Sequence, residues 1–338
     1  MKNVFTFLLL LFSLLCNGQS PKLFTTDKEL SSSLINQIYQ DRNGFIWIAT
    51  EDGLNRYDGA KFTIYKHEPN NEHSLAHNFV RTVFEDSKGH LLIGTYIGIQ
   101  MYDPATDNFT PLAKLEDTGE TLESNINSFI ERKNGEIWVS GNVLCKLDIK
   151  DHLLTVRKVD IAVTSPGSLF EDKKQNVWMA KGEEGVYQLT PDNQLTLHLS
   201  KDNGYVKSIC EDQRGNIYVG SIRKGLFIYD KERKTFVPID LKEKGELPVC
   251  FLYSGIPNEL YIGTDGKGVV IYNIRTHEIS EYKFDNNYFD SGNSKIHSIL
   301  KDNSGNLWLA VYQKGVILIP AHTNSFKYIG HKSTDKNC

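Results

Sequence analysis

The chain has 338 residues, 40% of them hydrophobic and 11% aromatic, which is enough apolar material for a large buried core. Its net charge is −4 and its Lys and Arg residues form no block, so nucleic-acid or anionic-lipid binding has no electrostatic support. Five cysteines, with no CxxC pair, match neither a zinc site nor a disulfide framework.

Chain order begins with a leader. Lys2 precedes the apolar run "VFTFLLLLFSLL" (4–15), which has signal-peptide length and is short for a membrane span. "CNG" (16–18) offers small residues at a cleavage point, so residues 1–19 are expected to be a signal peptide. Acylation of Cys16 or an uncleaved anchor are the alternatives. The remainder is expected to be exported.

From residue 41 onward one pattern recurs. "DRNGFIWIATEDGLNRYD" (41–58), "DSKGHLLIGTYIGIQMYD" (86–103), "DQRGNIYVGSIRKGLFIYD" (212–230) and "DNSGNLWLAVYQKGVILI" (302–319) are close copies. Weaker copies start at Arg132, Asp172 and Ile256, which makes seven. The first and last Asp are 261 residues apart over six intervals, a period of about 43 to 44. Strand-like content at that period points to propeller blades.

Each repeat reads as four strands. An Asp and a Gly in D-x-x-G make a hairpin turn, with the Asp bonding the turn backbone and the Gly taking positive φ. Six residues after the Asp stands a large side chain: Trp47, Leu92, Trp138, Trp178, Tyr218, Tyr261 or Trp308. That uses all four tryptophans and suits packing between neighbouring sheets. Three residues before the Asp lies an apolar side chain, Ile38, Val83, Phe129, Leu169, Ile209, Leu252 or Ile299. A small polar residue often precedes it (Thr82, Ser128, Ser168, Ser208, Ser298), suited to innermost strands crowded round an axis. Cys145, Cys210 and Cys250 read as small buried strand residues. The fold class is therefore all-β: a seven-bladed β-propeller of four-stranded antiparallel blades over residues 21–330. Ring closure is expected from "PKLFTT" (21–26) beside the seventh repeat, with "NSFKYI" (324–329) as the alternative. Residues 331–338 would be a linker or the start of a further domain.

The motif D-x-x-G-x-[IL]-W-[IV]-[AG]-T-x-x-G-L-x-x-Y-D resembles the two-component-regulator propeller repeat, most closely over 31–65. Blades three, four and six depart from it: Arg132 replaces the Asp, Gln175 replaces the turn Gly, and Gly255 and Asn258 stand at those two places in blade six. The resemblance implies the N-terminal periplasmic sensor of a Bacteroidetes-type hybrid two-component system. It also implies a longer parent, with a second propeller, a β-sandwich, a membrane helix, a histidine kinase and downstream domains. No kinase-type His box or nucleotide motif occurs in this chain, so no phosphotransfer is expected of it.

In a four-stranded meander the second turns and the blade-to-blade connections share one face, and that face varies from repeat to repeat. Variable loops on a rigid scaffold are where function sits. A sugar needs a flat aromatic surface and planar polar partners. Candidate ligand-binding residues on this face are Tyr96, Tyr205, Arg223, Lys224, Asp265, Lys267, Tyr312 and Gln313, with Tyr288 a further platform. The expected ligand is a glycan-derived oligosaccharide. The same face could instead meet a second propeller or a twin subunit in a homodimer. No cofactor or metal is expected: His67, His73 and His77 fit no metal spacing. A glycosidase or lyase would need two convergent carboxylates, for which Glu51, Asp52, Glu183, Glu184 and Asp265 are available. A stand-alone interaction scaffold is the third reading.

Overall fold

The D-x-x-G turns form as their chemistry requires, and they fix the strand order. In blade one, Ile35–Gln40 turns at Asp41 into Ile46–Thr50, then Gly53–Tyr57, then Phe62–Tyr65. Each strand pairs antiparallel with the next. The structure is a computed structural model that describes residues 20–199, 204–241, 247–284 and 288–321. Within them seven such sheets surround one axis. Each innermost strand adjoins those of the neighbouring blades, and Ile296–Lys301 of blade seven adjoins Ile35–Gln40 of blade one. Among the described residues no helix is long and apolar enough to cross a membrane.

Blade seven is composite. Its strands Ile296–Lys301, Leu307–Val311 and Gly315–Ile319 are completed by Lys22–Phe24 from the other end of the chain. Lys22 pairs with Leu318 and Phe24 with Val316 in antiparallel register. Phe24 is buried and stacks on Trp308 at 5.8 Å. The N-terminal strand therefore closes the ring. The alternative segment at 324–329 lies outside the described residues, as do the leader and residues 331–338. Blade three differs from a plain meander, because Lys114–Leu115 adds a fifth, parallel strand along Leu153–Lys158.

The core is divided into seven clusters, one per blade junction. The large residue after each turn packs into the following blade against its innermost-strand apolar residue. Trp47 meets Val83, Leu92 meets Phe129, Trp138 meets Leu169 and Trp178 meets Ile209. Tyr218 meets Leu252, Tyr261 meets Ile299, and Trp308 meets Ile38 to complete the circle. All four tryptophans are buried, so none is a platform for sugar.

The turn Asp does more than hold its turn. Asp41 accepts from Phe45 N at 2.9 Å with one oxygen and from Trp47 Nε1 at 2.7 Å with the other. Asp172 and Asp302 do the same, with Trp178 Nε1 at 2.9 Å and Trp308 Nε1 at 2.8 Å. A buried indole N–H needs an acceptor, and a carboxylate supplies a strong one. Where blade three has Arg132, Glu136 takes over and accepts from Trp138 Nε1 at 3.0 Å, while the Arg132 guanidinium lies 4.6 Å over the ring. Gln175 and Asn258 adopt φ of 67° and 61°, the conformation that glycine has in the other first turns.

A second tie links the blades on this face. In five blades the residue before the first turn, a Glu or Gln, reaches the preceding blade and accepts a turn N–H there; in blade six Ser254 instead donates its hydroxyl to Glu211 O at 2.8 Å. Glu85 takes Arg42 N at 2.7 Å, Glu131 takes Ser87 N at 2.6 Å and Glu171 takes Lys133 N at 2.7 Å. Glu211 takes Lys173 N at 3.5 Å, and Gln40 takes Asn303 N at 2.7 Å across the ring closure. Near the axis, Ser208 and Ser298 hydroxyls accept Leu252 N at 3.1 Å and Ile38 N at 3.2 Å. Innermost strands are sheet edges, and these side chains satisfy N–H groups that no fifth strand can reach.

Candidate functional site

Innermost strands present alternate residues to the axis. The residue five before each turn lines a central cavity of about 570 Å³ in every blade: Asn36, Arg81, Asn127, Gly167, Lys207, Cys250 and His297. Lys181, Gly182 and Tyr205 also line it. These belong to the second turns and blade connections, so the cavity opens on the variable face.

The predicted residues divide by their distance from this mouth. Tyr205 is on the wall itself, 43% exposed, with its ring over Gly182, where an added Cβ would come within 3.0 Å. Tyr312 is exposed and packs on the channel-lining His297, with ring centroids 5.0 Å apart. Lys295 lies 5.7 Å over the same tyrosine and pairs with Asp265 at 2.7 Å. Tyr96 is exposed and contacts Phe79, whose ring carries the Arg81 guanidinium at 5.4 Å. Of these three tyrosines only Tyr205 lines the cavity; Tyr312 packs directly on a lining residue and Tyr96 is separated from one by Phe79. Tyr288 is exposed too, but its hydroxyl points to Pro21 O at 3.5 Å, beside the closing strand.

Arg223 is solvent-facing and 3.9 Å from Glu183. The backbones of Lys224 and Lys267 are held by Ser221 and Thr264 hydroxyls at the strand ends. Gln313 sits in its turn with φ 58°. None of these four is on the cavity wall. The turns themselves are stiff: Thr50, Thr95 and Thr264 hydroxyls donate to Gly53 O, Gly98 O and Gly268 O at 2.7 to 3.1 Å. Sequence reasoning missed Asn36, Arg81, Asn127, Lys207 and His297. A signal existed, since all occupy one repeat position, but their chemistry differs from blade to blade.

Burial, with Lys207 nearby, pushes the His297 imidazole down to about 4, so it is a neutral hydrogen-bonding group at neutral pH. Burial raises the three strand thiols, to about 11 for Cys145 and about 12 for Cys210, which makes them poor nucleophiles. Cys145 and Cys250 are buried and Cys210 is half-buried. Four of the carboxylates have separate cationic partners: Asp52 with Lys66, Glu183 with Arg223, Glu184 with Lys181 and Asp265 with Lys295. They do not form a facing pair. Among the described residues no group of three His, Cys, Asp or Glu side chains could hold a metal ion. His67 and His73 ring nitrogens lie on the backbone carbonyls of Leu75 and Phe109, and His77 accepts from Phe79 N.

The description "Two component regulator propeller" matches residues 29–52, 74–96 and 200–223. The chain carries two-component regulator propeller repeats. A stretch of 83 residues, 22% of the chain, is 37% identical to a protein named Histidine kinase P4 from Formosa agariphila and covers 6% of it. The extracellular domain of the hybrid two-component system BT3049 from B. thetaiotaomicron has the same fold, at TM-score 0.77 and 21% identity over 90% of this chain. That of BT4673 from the same organism gives 0.73 and 17% over 91%. This chain covers 42% and 43% of those two structures. A streptogramin B lyase also shares the fold, at TM-score 0.66 and 14% identity, over 88% of this chain and 96% of that one.

Proposed function

We propose that this propeller is the ligand-sensing module of a hybrid two-component sensor, exported to the periplasm, and that it recognises glycan-derived oligosaccharides at the channel mouth. The observation that carries the ligand reading is exposed Tyr205 on the wall of a polar cavity, with exposed Tyr312 packed on the lining His297 and exposed Tyr96 on Phe79 beside the lining Arg81. Tyrosine faces suit the C–H side of a sugar ring, and amide, guanidinium and hydroxyl groups suit its hydroxyls. Signalling would be a population shift: ligand at this face changes how the propeller docks on a second propeller or a twin subunit, and the parent's membrane and kinase parts read that docking. The repeats support the sensor reading, as does the likeness to extracellular sensor domains.

The fold shared with a streptogramin B lyase motivates a second reading, in which the same mouth is an active site. A glycosidase is the weaker form of it, because the face carboxylates are paired one by one with cations. One experiment separates the readings. Purified chain is titrated calorimetrically with a panel of neutral and acidic oligosaccharides, and the same mixtures are analysed for cleavage. Binding without turnover, weakened by Tyr205→Ala, is the expected result. Turnover would favour the enzyme, and a panel without heat at millimolar ligand would leave the face to a protein partner.

A further inference from the structure

The cavity has a charge sign opposite to that of the whole molecule. Three cations, Arg81, Lys181 and Lys207, line it, and no Asp or Glu does. Lys181 shares its charge with Glu184 at 2.8 Å. Arg81 and Lys207 have no carboxylate within ion-pair distance among the described residues. The Arg81 Nε is buried and has no acceptor, although its guanidinium lies over Phe79. A buried guanidinium donor without an acceptor costs free energy unless something else supplies one. Ser128 and Ser208 accept neighbouring N–H groups, which leaves their own hydroxyl protons to donate elsewhere.

We infer that the central channel is an anion site, and that the ligand of this face is an acidic oligosaccharide whose carboxylate or sulfate group enters between Arg81 and Lys207 while a sugar ring lies against Tyr205. This deepens the sensor proposal and rests on its glycan reading. The neutral His297 and the amides of Asn36 and Asn127 stand on the same wall as hydrogen-bonding partners for hydroxyls. Two fixed cations without carboxylate partners attract a ligand anion with a strength that depends on how far water is excluded from the channel.

The test is calorimetry on the full chain at low salt with four probes: digalacturonate, a sulfated disaccharide, cellobiose and sodium sulfate. An acidic disaccharide is expected to bind and cellobiose to bind at least about tenfold more weakly. Lys207→Gln and Arg81→Gln should each cost on the order of tenfold, Arg275→Gln on the opposite face should cost nothing, and 0.5 M NaCl should weaken binding. The carboxylate and sulfate probes tell which acid group fits. Lys207 is exposed, so its variant remains decisive if Arg81→Gln fails to fold. Equal binding of cellobiose and digalacturonate, untouched by Lys207→Gln, would overturn the anion site and leave the glycan reading standing. Free sulfate binding as tightly as any disaccharide, with Tyr205→Ala silent, would keep the anion site and remove the glycan. Absence of binding by all four probes would overturn the anion site.

Discussion

The two faces of the ring are built from different turns of the same seven repeats and put their polar groups to opposite ends. On the D-x-x-G face the polar groups are consumed internally. Asp41, Asp172 and Asp302 are shared between backbone and indole, Asp86 and Asp212 between backbone and the His90 ring or the Tyr218 hydroxyl, and each preceding Glu or Gln is tied to the neighbouring blade. On the other face the backbone is held by Thr and Ser hydroxyls, which leaves Tyr205, Lys207 and Arg81 pointing at an open cavity. Saturated polar groups make a face rigid and inert, and unsaturated ones make it able to bind. The repeat is regular on the face whose polar groups are consumed internally and irregular on the face that surrounds the cavity.

The largest expected effect breaks the inert face at its core. Trp308→Ala should destabilise the chain by about 3–5 kcal/mol in denaturant unfolding, because the ring is buried between blades seven and one and stacks on Phe24. A loss below about 1 kcal/mol would mean that the junction can collapse round the gap. Asp302→Ala comes next, at roughly 2–4 kcal/mol, since it leaves the Trp308 indole N–H and the Asn306 N–H without their acceptor. Glu85→Ala should cost about 0.5–1.5 kcal/mol, being one inter-blade tie among several.

Blade three offers a pH test of the same face. Burial alone would raise Glu136, but bonds from Lys146, Trp138 and Asn134 outweigh it and hold the carboxyl at about 2. A carboxyl depressed in the folded state contributes stability above its ordinary value near 4.5 and loses it as pH falls toward about 2. Glu136→Gln should therefore flatten the fall of melting temperature between pH 4.5 and 2; parallel curves for variant and wild type would sink that assignment. The smallest stability effect belongs to the open face. Tyr205→Ala should stay within about 0.5 kcal/mol by melting, while oligosaccharide binding by the variant weakens in calorimetry.

Much of the D-x-x-G face was legible in the chain. Asp41, Asp172 and Asp302 announce their turns, and the residue six later announces the junction core, because both depend on neighbours a few positions away. The Asp-to-indole bond was legible in spacing and missed in chemistry. The Glu85–Arg42 tie was hidden, since its partners are one repeat apart and meet only when blades stand side by side. On the variable face, Tyr96, Tyr205 and Tyr312 were readable as loop aromatics. Arg81 and Lys207 were not, because each looks like an ordinary strand residue until the axis brings them into one cavity.

The sequence by itself determined the blade number, the four-strand order of each repeat and the large buried side chain at each junction. Turn chemistry and period-two alternation act over short separations, and a repeat states them seven times. Only the tertiary structure decided how the circle closes and what the channel contains. Lys22–Phe24 must find Gly315–Ile319 across almost the whole chain, and burial of Phe24 against Trp308 helps offset the entropy of that closure. The channel's positive lining exists because one position from every blade converges on the axis, in a molecule whose net charge is −4.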